Sequence, residues 1–413
     1  MYNNINNMIY QPIINLGTLG SVSDGKSTLI QKLTGKTTQT HSFELKRNIT
    51  IKAGYANLKI WYCDNCENYL STNSEPMEYN CTECDSICKL CHHISFVDSP
   101  GHQNLILTMM GSVSFIKGAI VVVAASEPIK TKPQLIQHLA AAKLAKIDKL
   151  IICFNKVDLI SKELALQRKE ELNELLEELD IKPYIIIPTS LSRGLGISNI
   201  LKYMMQVFNP DIIQHTNEQT FFRITRSFDI NKPGTIWSNV QGGVVGGALI
   251  TGTLNINDDI EIRPGTYYKD KDRLIYQSIF TKVLSLETDK TKLENITPGG
   301  LIGIGTTIDP YYCKNDMLNG NVIGKVGELP PVYVEIELIY TELKNFDGNW
   351  TPKNGDTVFL QIGHISVESR LLKIIKNKLK FAFTKPVCIE PNTTILICKK
   401  DSGILKIVGY GSF

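Results

Sequence analysis

The chain has 413 residues, enough for roughly two to four folding units, so a single small module is excluded. Hydrophobic residues at 43% and charged residues at 21% lie close to the soluble globular average, which excludes wholesale disorder. Lys plus Arg at 44 against Asp plus Glu at 41 leave a formal charge of +3, which excludes a polybasic wrapper of nucleic acid; any such partner must be held by shape and local contacts.

Met1 to Tyr10 is rich in Asn and has no cationic start followed by an apolar stretch, so no secretion or transit signal is expected and the chain is expected in the cytoplasm. Pro12 to Leu19 reads as a strand. It runs into Gly20-Ser21-Val22-Ser23-Asp24-Gly25-Lys26-Ser27, which fits the phosphate-loop pattern Gly-x4-Gly-Lys-Ser, and Lys26 to Leu33 continues as a helix. A strand, a Gly-bounded loop and a helix in that order aim backbone N–H groups and a helix N-terminus at phosphates. Lys26 is expected to reach the outer phosphates and Ser27 to reach Mg²⁺, with Gly20, Ser23, Asp24, Gly25 and Thr28 completing this part of the nucleotide-binding set. Asp24 puts a carboxylate close to phosphates, which electrostatics disfavours unless a cation or an outward rotamer relieves it.

Six of the ten cysteines lie between Cys63 and Cys91, while Cys153, Cys313, Cys388 and Cys398 are scattered through apolar surroundings and read as buried thiols. Cys63-x2-Cys66 and Cys81-x2-Cys84 make a four-thiolate set of zinc-ribbon type, structural because four thiolates leave no open coordination position. Cys88-x2-Cys91, followed by His92 and His93, offers a competing register.

Ser95 to Asp98 reads as a strand and leads into Asp98-Ser99-Pro100-Gly101-His102. There Asp98 can hold a Mg²⁺ water, the Gly101 amide can meet the γ-phosphate and His102 can position the attacking water. Ala119 to Ala125 is the longest apolar run, a strand too short to cross a bilayer, so no membrane partner is expected. Gln134 to Ala145 has a helical pattern. Leu150 to Asn155 is a strand ending in Asn155-Lys156-Val157-Asp158, where the Asp158 carboxylate can accept from both the N1–H and the exocyclic amine of guanine; adenine would leave it unsatisfied. Ser161 to Leu179 is the clearest helix, with Leu172, Leu175, Leu176 and Leu179 on one face, and Tyr184 to Pro188 is a further strand. Strands alternating with helices imply a mostly parallel sheet covered on both sides. After about Pro210 come short β-rich runs broken by Gly, Pro and Asn-Asp turns, a barrel or sandwich pattern, with a seam near Gly327 to Pro331. The expected architecture is an α/β GTP-binding domain over residues 1–212 with a zinc knuckle inserted at 63–91, then β-barrels over 213–328 and 329–413.

The Asp98–His102 pentapeptide, taken with the other motifs, resembles that of the translational GTPases related to elongation factor Tu. On that resemblance Thr50, in Asn48-Ile49-Thr50-Ile51, matches the switch threonine that joins the Mg²⁺ shell in the GTP state. Ser190-Leu191-Ser192 matches the last guanine-binding motif, with Leu191 where Ala is usual. A cysteine knuckle at this point narrows the resemblance to the gamma subunits of eukaryotic and archaeal translation initiation factor 2. Gly54-Tyr55-Ala56-Asn57, the segment from Arg226 to Gly234, Gly242 to Gly247 and Pro298 to Gly303 are similar to that family too. The resemblance implies a GTPase that hydrolyses GTP to GDP and phosphate, with Mg²⁺ and Zn²⁺ bound. It implies delivery of methionyl initiator tRNA to the small ribosomal subunit, alpha and beta partner subunits, a GTPase-activating protein and a guanine nucleotide exchange factor. It also implies a pocket for the tRNA acceptor end in which Tyr55 stacks. The phosphate loop of the family usually reads Gly-His-Val-x-His-Gly-Lys-Ser, so Ser21 and Asp24 replace both His. Two other readings share the motifs: an elongation-type or selenocysteine-specific aminoacyl-tRNA carrier, and a GTPase-like scaffold that does not hydrolyse GTP, the latter motivated by Asp24.

Overall fold

The computed structural model describes residues 8–38, 54–100, 105–182, 184–208, 216, 218–271, 273–343, 350–401 and 404–413. The chain divides into two compact units, residues 1–212 and 213–413.

The first unit is built on a seven-stranded sheet of β1 (Ile14–Leu19), β2 (Gly54–Cys63), β3 (Asn68–Asn73), β4 (Lys89–Asp98), β5 (Gly118–Ala124), β6 (Leu150–Asn155) and β7 (Tyr184–Pro188), in the order β3-β2-β4-β1-β5-β6-β7. From β4 to β7 the neighbours are parallel, whereas β2 runs antiparallel to β4 and β3 antiparallel to β2. Every residue of β1, β5 and β6 is buried, the pattern of strands covered on both faces. The helices are α1 (Lys26–Thr34), α2 (Ile106–Val113), α3 (Pro133–Leu144), α4 (Lys162–Glu178) and α5 (Ile197–Val207). Leu29, Ile30 and Leu33 of α1 and Ile200, Leu201 and Met204 of α5 share one core with Ile14 and Leu16 of β1 and Phe96 of β4. Helix α4 starts where Ser161 accepts a hydrogen bond from Leu164 N, and it buries Leu172, Leu175 and Leu176. Because β1 lies between β4 and β5, the strand order reverses there, and the carboxyl ends of these strands border the crevice where open α/β sheets bind ligands.

The second unit holds two closed barrels. The first joins β8 (Phe221–Phe228), β9 (Val244–Thr251), β11 (Asp259–Asp270), β12 (Arg273–Thr288), β15 (Ile302–Thr306) and β16 (Val322–Lys325) in the ring β11-β16-β8-β9-β15-β12, closed by pairing of β11 with β12. The short β10 (Leu254–Asn255) pairs with β14 (Asn295–Ile296), and β13 (Thr291–Leu293) adds to β12. The second barrel is β17 (Val332–Glu342), β18 (Thr357–Ile362), β19 (Ile365–Ile375), β20 (Lys378–Cys388), β21 (Thr394–Asp401) and β22 (Ile404–Ser412), closed by β17 against β22. Each barrel has its own apolar core, one centred on Phe222, Ile260 and Ile304 and the other on Leu338, Leu360 and Phe381. Arg263 ties the β16–β17 connection down: its Nη1 donates to Leu329 O at 2.6 Å and Pro330 O at 3.1 Å, while its guanidinium pairs with Glu261. Arg223 on β8 pairs with Glu390 beyond β20 at 2.9 Å, a second tie between the barrels.

Candidate nucleotide site and cysteine cluster

Strand β1 delivers the chain to Gly20, at the end of the strand where the order reverses. Gly20 and Gly25 have φ of 136 and 111, and a Cβ would lie 2.2 Å from Val122 O at the first and 2.5 Å from Asn155 Nδ2 at the second, so the loop needs glycine at both. Lys26 opens α1, and its ammonium donates to the carbonyls of Gly20 (3.0 Å) and Ser21 (2.7 Å). Burial lowers its pKa, against the pull of Asp98 and Asp24. Ser23 is exposed at the loop's tip, and Thr28 is half-buried on the first turn of α1.

Asp98, at the end of β4, is fully buried and accepts three hydroxyls: Thr18 Oγ1 at 2.9 Å, Ser27 Oγ at 2.7 Å and Thr38 Oγ1 at 2.6 Å. Oxygen donors from Ser27, Thr38 and Asp98 converge here, a donor set of the hard kind that Mg²⁺ takes.

Asn155, the last residue of β6, fastens three segments. Its Nδ2 donates to Asp24 O at 2.8 Å, and its Oδ1 accepts from Leu191 N at 3.0 Å and Thr189 Oγ1 at 3.4 Å. Lys156 follows with a left-handed φ of 63. Asp158 Oδ2 lies 3.1 Å from Arg193 Nε, the carboxylate being 11% exposed. Ser190 and Ser192 hydroxyls lie 3.4 Å apart. The Leu191 side chain is buried in the core with Ile30 and Leu33, so its bulk beyond alanine is taken up by packing.

The Asp24 carboxylate is turned toward the end of β5. Oδ2 accepts from Ser21 N at 2.7 Å, and Oδ1 accepts from Ala124 N at 3.2 Å and from Lys132 Nζ at 2.7 Å. Both partners are buried, Asp24 at 0% and Lys132 at 6% exposure, so this is an internal ion pair. Lys132 also donates to Ala124 O at 3.3 Å and lies 3.3 Å from Glu127 Oε2. On α3, His138 Nδ1 accepts from Gly20 N at 3.0 Å; burial, with the nearby Lys26 charge, pushes its pKa down to about 3, so the ring is neutral at physiological pH. Thr38, Lys132 and His138 were not among the candidates read from sequence. Thr50, Gly101 and His102, which were, lie outside the described residues. Tyr55 is on β2, opposite Val97 of β4, and 38% exposed.

The β2–β3 hairpin carries Cys63 and Cys66, and the sulfurs of Cys63, Cys66, Cys81 and Cys84 all lie within 4.8 Å of one another. Cys63 to Cys84 is 3.5 Å and Cys66 to Cys81 is 3.7 Å, against about 3.8 Å between thiolates placed tetrahedrally around zinc at about 2.3 Å. The donor set therefore fits zinc. Trp61 and Cys88 pack with Cys63 and Cys81, and Ser86, through its hydroxyl and then its backbone N–H, pulls the Cys84 thiol down to about 6. Cys88 and Cys91 donate instead to the carbonyls of Ser86 (3.7 Å) and Lys89 (3.6 Å). His92 and His93 are buried in β4, with ring nitrogens 2.6 Å from Phe208 O and 2.8 Å from Met8 O. The competing register is not the one the fold assembles.

Known proteins with these features bear on what the chain is. The family described as elongation factor Tu GTP binding domain matches residues 11–210, and that described as initiation factor eIF2 gamma, C terminal, matches residues 338–413. The eukaryotic translation initiation factor 2 subunit gamma of Encephalitozoon cuniculi is 35% identical over 97% of this chain and 92% of that protein. The translation initiation factor 2 subunit gamma of Pyrococcus furiosus is 37% identical over 97% of both. A crystal structure of a bacterial selenocysteine-specific elongation factor covers 97% of this chain and 58% of that one with a TM-score of 0.72, but at 20% identity it speaks to the fold alone. Similarity to gamma subunits that runs nearly from end to end, through an elongation factor Tu-type GTPase domain and both barrels, shows that the chain belongs to the translation initiation factor 2 gamma-subunit family of translational GTPases.

Proposed function

We propose that the chain, in its GTP state, binds methionyl initiator tRNA and delivers it to the small ribosomal subunit, with hydrolysis to GDP and phosphate triggering release. It works in the cytoplasm with alpha and beta subunits, an activating protein and an exchange factor, and its domains span residues 1–212, 213–328 and 329–413. The observation that carries this reading is the match to gamma subunits over 97% of the chain, C-terminal barrel included.

Within that reading the Gly20–Thr28 loop and helix hold the phosphates, Ser27, Asp98 and Thr50 hold Mg²⁺, and Asn155, Lys156, Asp158 and Ser190–Ser192 hold guanine. Bound Mg²⁺ would neutralise charge on the outer phosphates. Gly101 meets the γ-phosphate and His102 orients the attacking water. Cys63, Cys66, Cys81 and Cys84 hold a structural zinc, supported by sulfur spacings of 3.5 and 3.7 Å. No observation favours the selenocysteine-specific reading beyond the shared fold. The scaffold reading loses its motive, because the Asp24 charge is met by Lys132.

Filter binding of methionyl initiator tRNA and of elongator tRNA, each in GTP and in GDP, tests the proposal. Retention of the initiator in GTP is expected to exceed the other three conditions. Equal retention of both tRNAs, or retention indifferent to the nucleotide, would overturn it.

A further inference from the structure

A carboxylate with no solvent exposure sits within the turn that is to receive the most negative part of a nucleotide. Two backbone N–H groups, from Ser21 and Ala124, can hold its oxygens but cannot cancel its charge. Lys132 can, and it reaches Asp24 from the β5–α3 connection, 108 residues along the chain. We propose that Lys132 is a positioning residue of the nucleotide site: by neutralising Asp24 and pinning its carboxylate against Ser21 and Ala124, it holds the phosphate loop in the form that binds GTP and GDP.

Without the ammonium, Asp24 keeps its place as a buried anion and repels phosphates through a medium of low dielectric. The charged groups facing Asp24 are Lys26 from α1, with Asp98 of β4 behind it, and Lys132 and Glu127 from the β5–α3 connection. His138 of α3, its pKa pushed down to about 3 by burial, adds no charge there.

The inference rests on the nucleotide-site reading, and wild-type binding tests that reading separately: no affinity for GDP or a non-hydrolysable GTP analogue would overturn the site, not this role. In calorimetric titrations of the full chain at pH 8, Lys132→Met is expected to weaken both nucleotides about tenfold or more. Asp24→Asn/Lys132→Met should recover most of the loss. A purely structural pair would lower the melting temperature of the nucleotide-free chain in step with affinity, whereas here Lys132→Met should lose affinity beyond its loss of stability, and Asp24→Asn should bind more tightly than Lys132→Met, because a lone cation beneath the loop does not repel phosphates. Should Lys132→Met fail to fold, Asp24→Asn is compared with the double variant and must bind at least as tightly. Affinity of Lys132→Met within about twofold of wild type, a double variant as weak as the single, or a double variant that binds more tightly than Asp24→Asn overturns the role.

Discussion

On the proposed reading, one side chain, Asp158, selects guanine. Its carboxylate is mostly shielded and faces one guanidinium, that of Arg193 at 3.1 Å. As an acceptor on both oxygens it suits the donor pair of guanine, and Asp158→Asn turns half of that acceptor into a donor. GTP affinity is expected to fall roughly tenfold to a hundredfold while xanthosine triphosphate, whose C2 carbonyl needs a donor, gains. Competition binding of the two nucleotides checks this, and unchanged preference for GTP would refute the assignment. Asp158, Asn155, Lys26 and Ser27 could be named as candidates from the sequence because their residue types stand in contiguous tetra- and octapeptides. Lys132, His138 and Thr38 were not, because their partners Asp24, Gly20 and Asp98 lie 108, 118 and 60 residues away and no local pattern marks the pairing. The electrostatic problem posed by Asp24 was visible in the sequence; the cation that answers it was not.

At the scale of elements, the hairpin of β2 and β3 is where local and long-range information meet. Cys63 closes β2 and Cys66 sits in the turn before β3, so the first knuckle is a product of the hairpin itself. The second pair is placed by backbone bonds of Cys81 N to Ser86 O and Cys88 N to Tyr79 O, both 2.8 Å. Lys59, fully buried on β2, donates to Pro76 O at 2.7 Å and so anchors the segment leading into that pair; burial lowers its pKa to about 8. Elemental analysis is expected to find about one zinc per chain, lost in Cys66→Ser and kept in Cys91→Ser. The reverse result would mean that the metal uses the other register. Helix α4 was legible almost to the residue, since Ser161 and the leucine face mark its start and its buried side. The β2–β3 ribbon was not foreseen as strands, its cysteines and polar residues giving no clean alternation. His92 and His93 looked like spare ligands because a sequence does not reveal that both are buried in β4.

On the scale of the molecule, β-rich composition after about Pro210 pointed to barrels or sandwiches. What decided for barrels was closure, the pairing of β11 with β12 and of β17 with β22, contacts that no run of residues announces. Among the described residues no helix is long and apolar enough to cross a membrane. Tyr55, partly exposed on β2, tests whether the GTPase unit carries the proposed tRNA pocket. Stacking of an aromatic ring on a base contributes about 1–3 kcal/mol, so Tyr55→Ala is expected to weaken initiator tRNA binding about 5- to 150-fold with GTP binding unchanged. Parallel losses of tRNA affinity, GTP affinity and melting temperature would make Tyr55 a core residue instead.

The ion pair between Asp24 and Lys132 also has a historical side. A lineage that acquires the aspartate before the lysine passes through a buried lone anion, and one that loses the lysine first passes through the same state, while the opposite orders leave only a lone cation. If Lys132 has the proposed role, the two codons are expected to change in a preferred order, lysine first in and last out, and relatives with an acidic residue at the first position are expected to carry a basic one at the second.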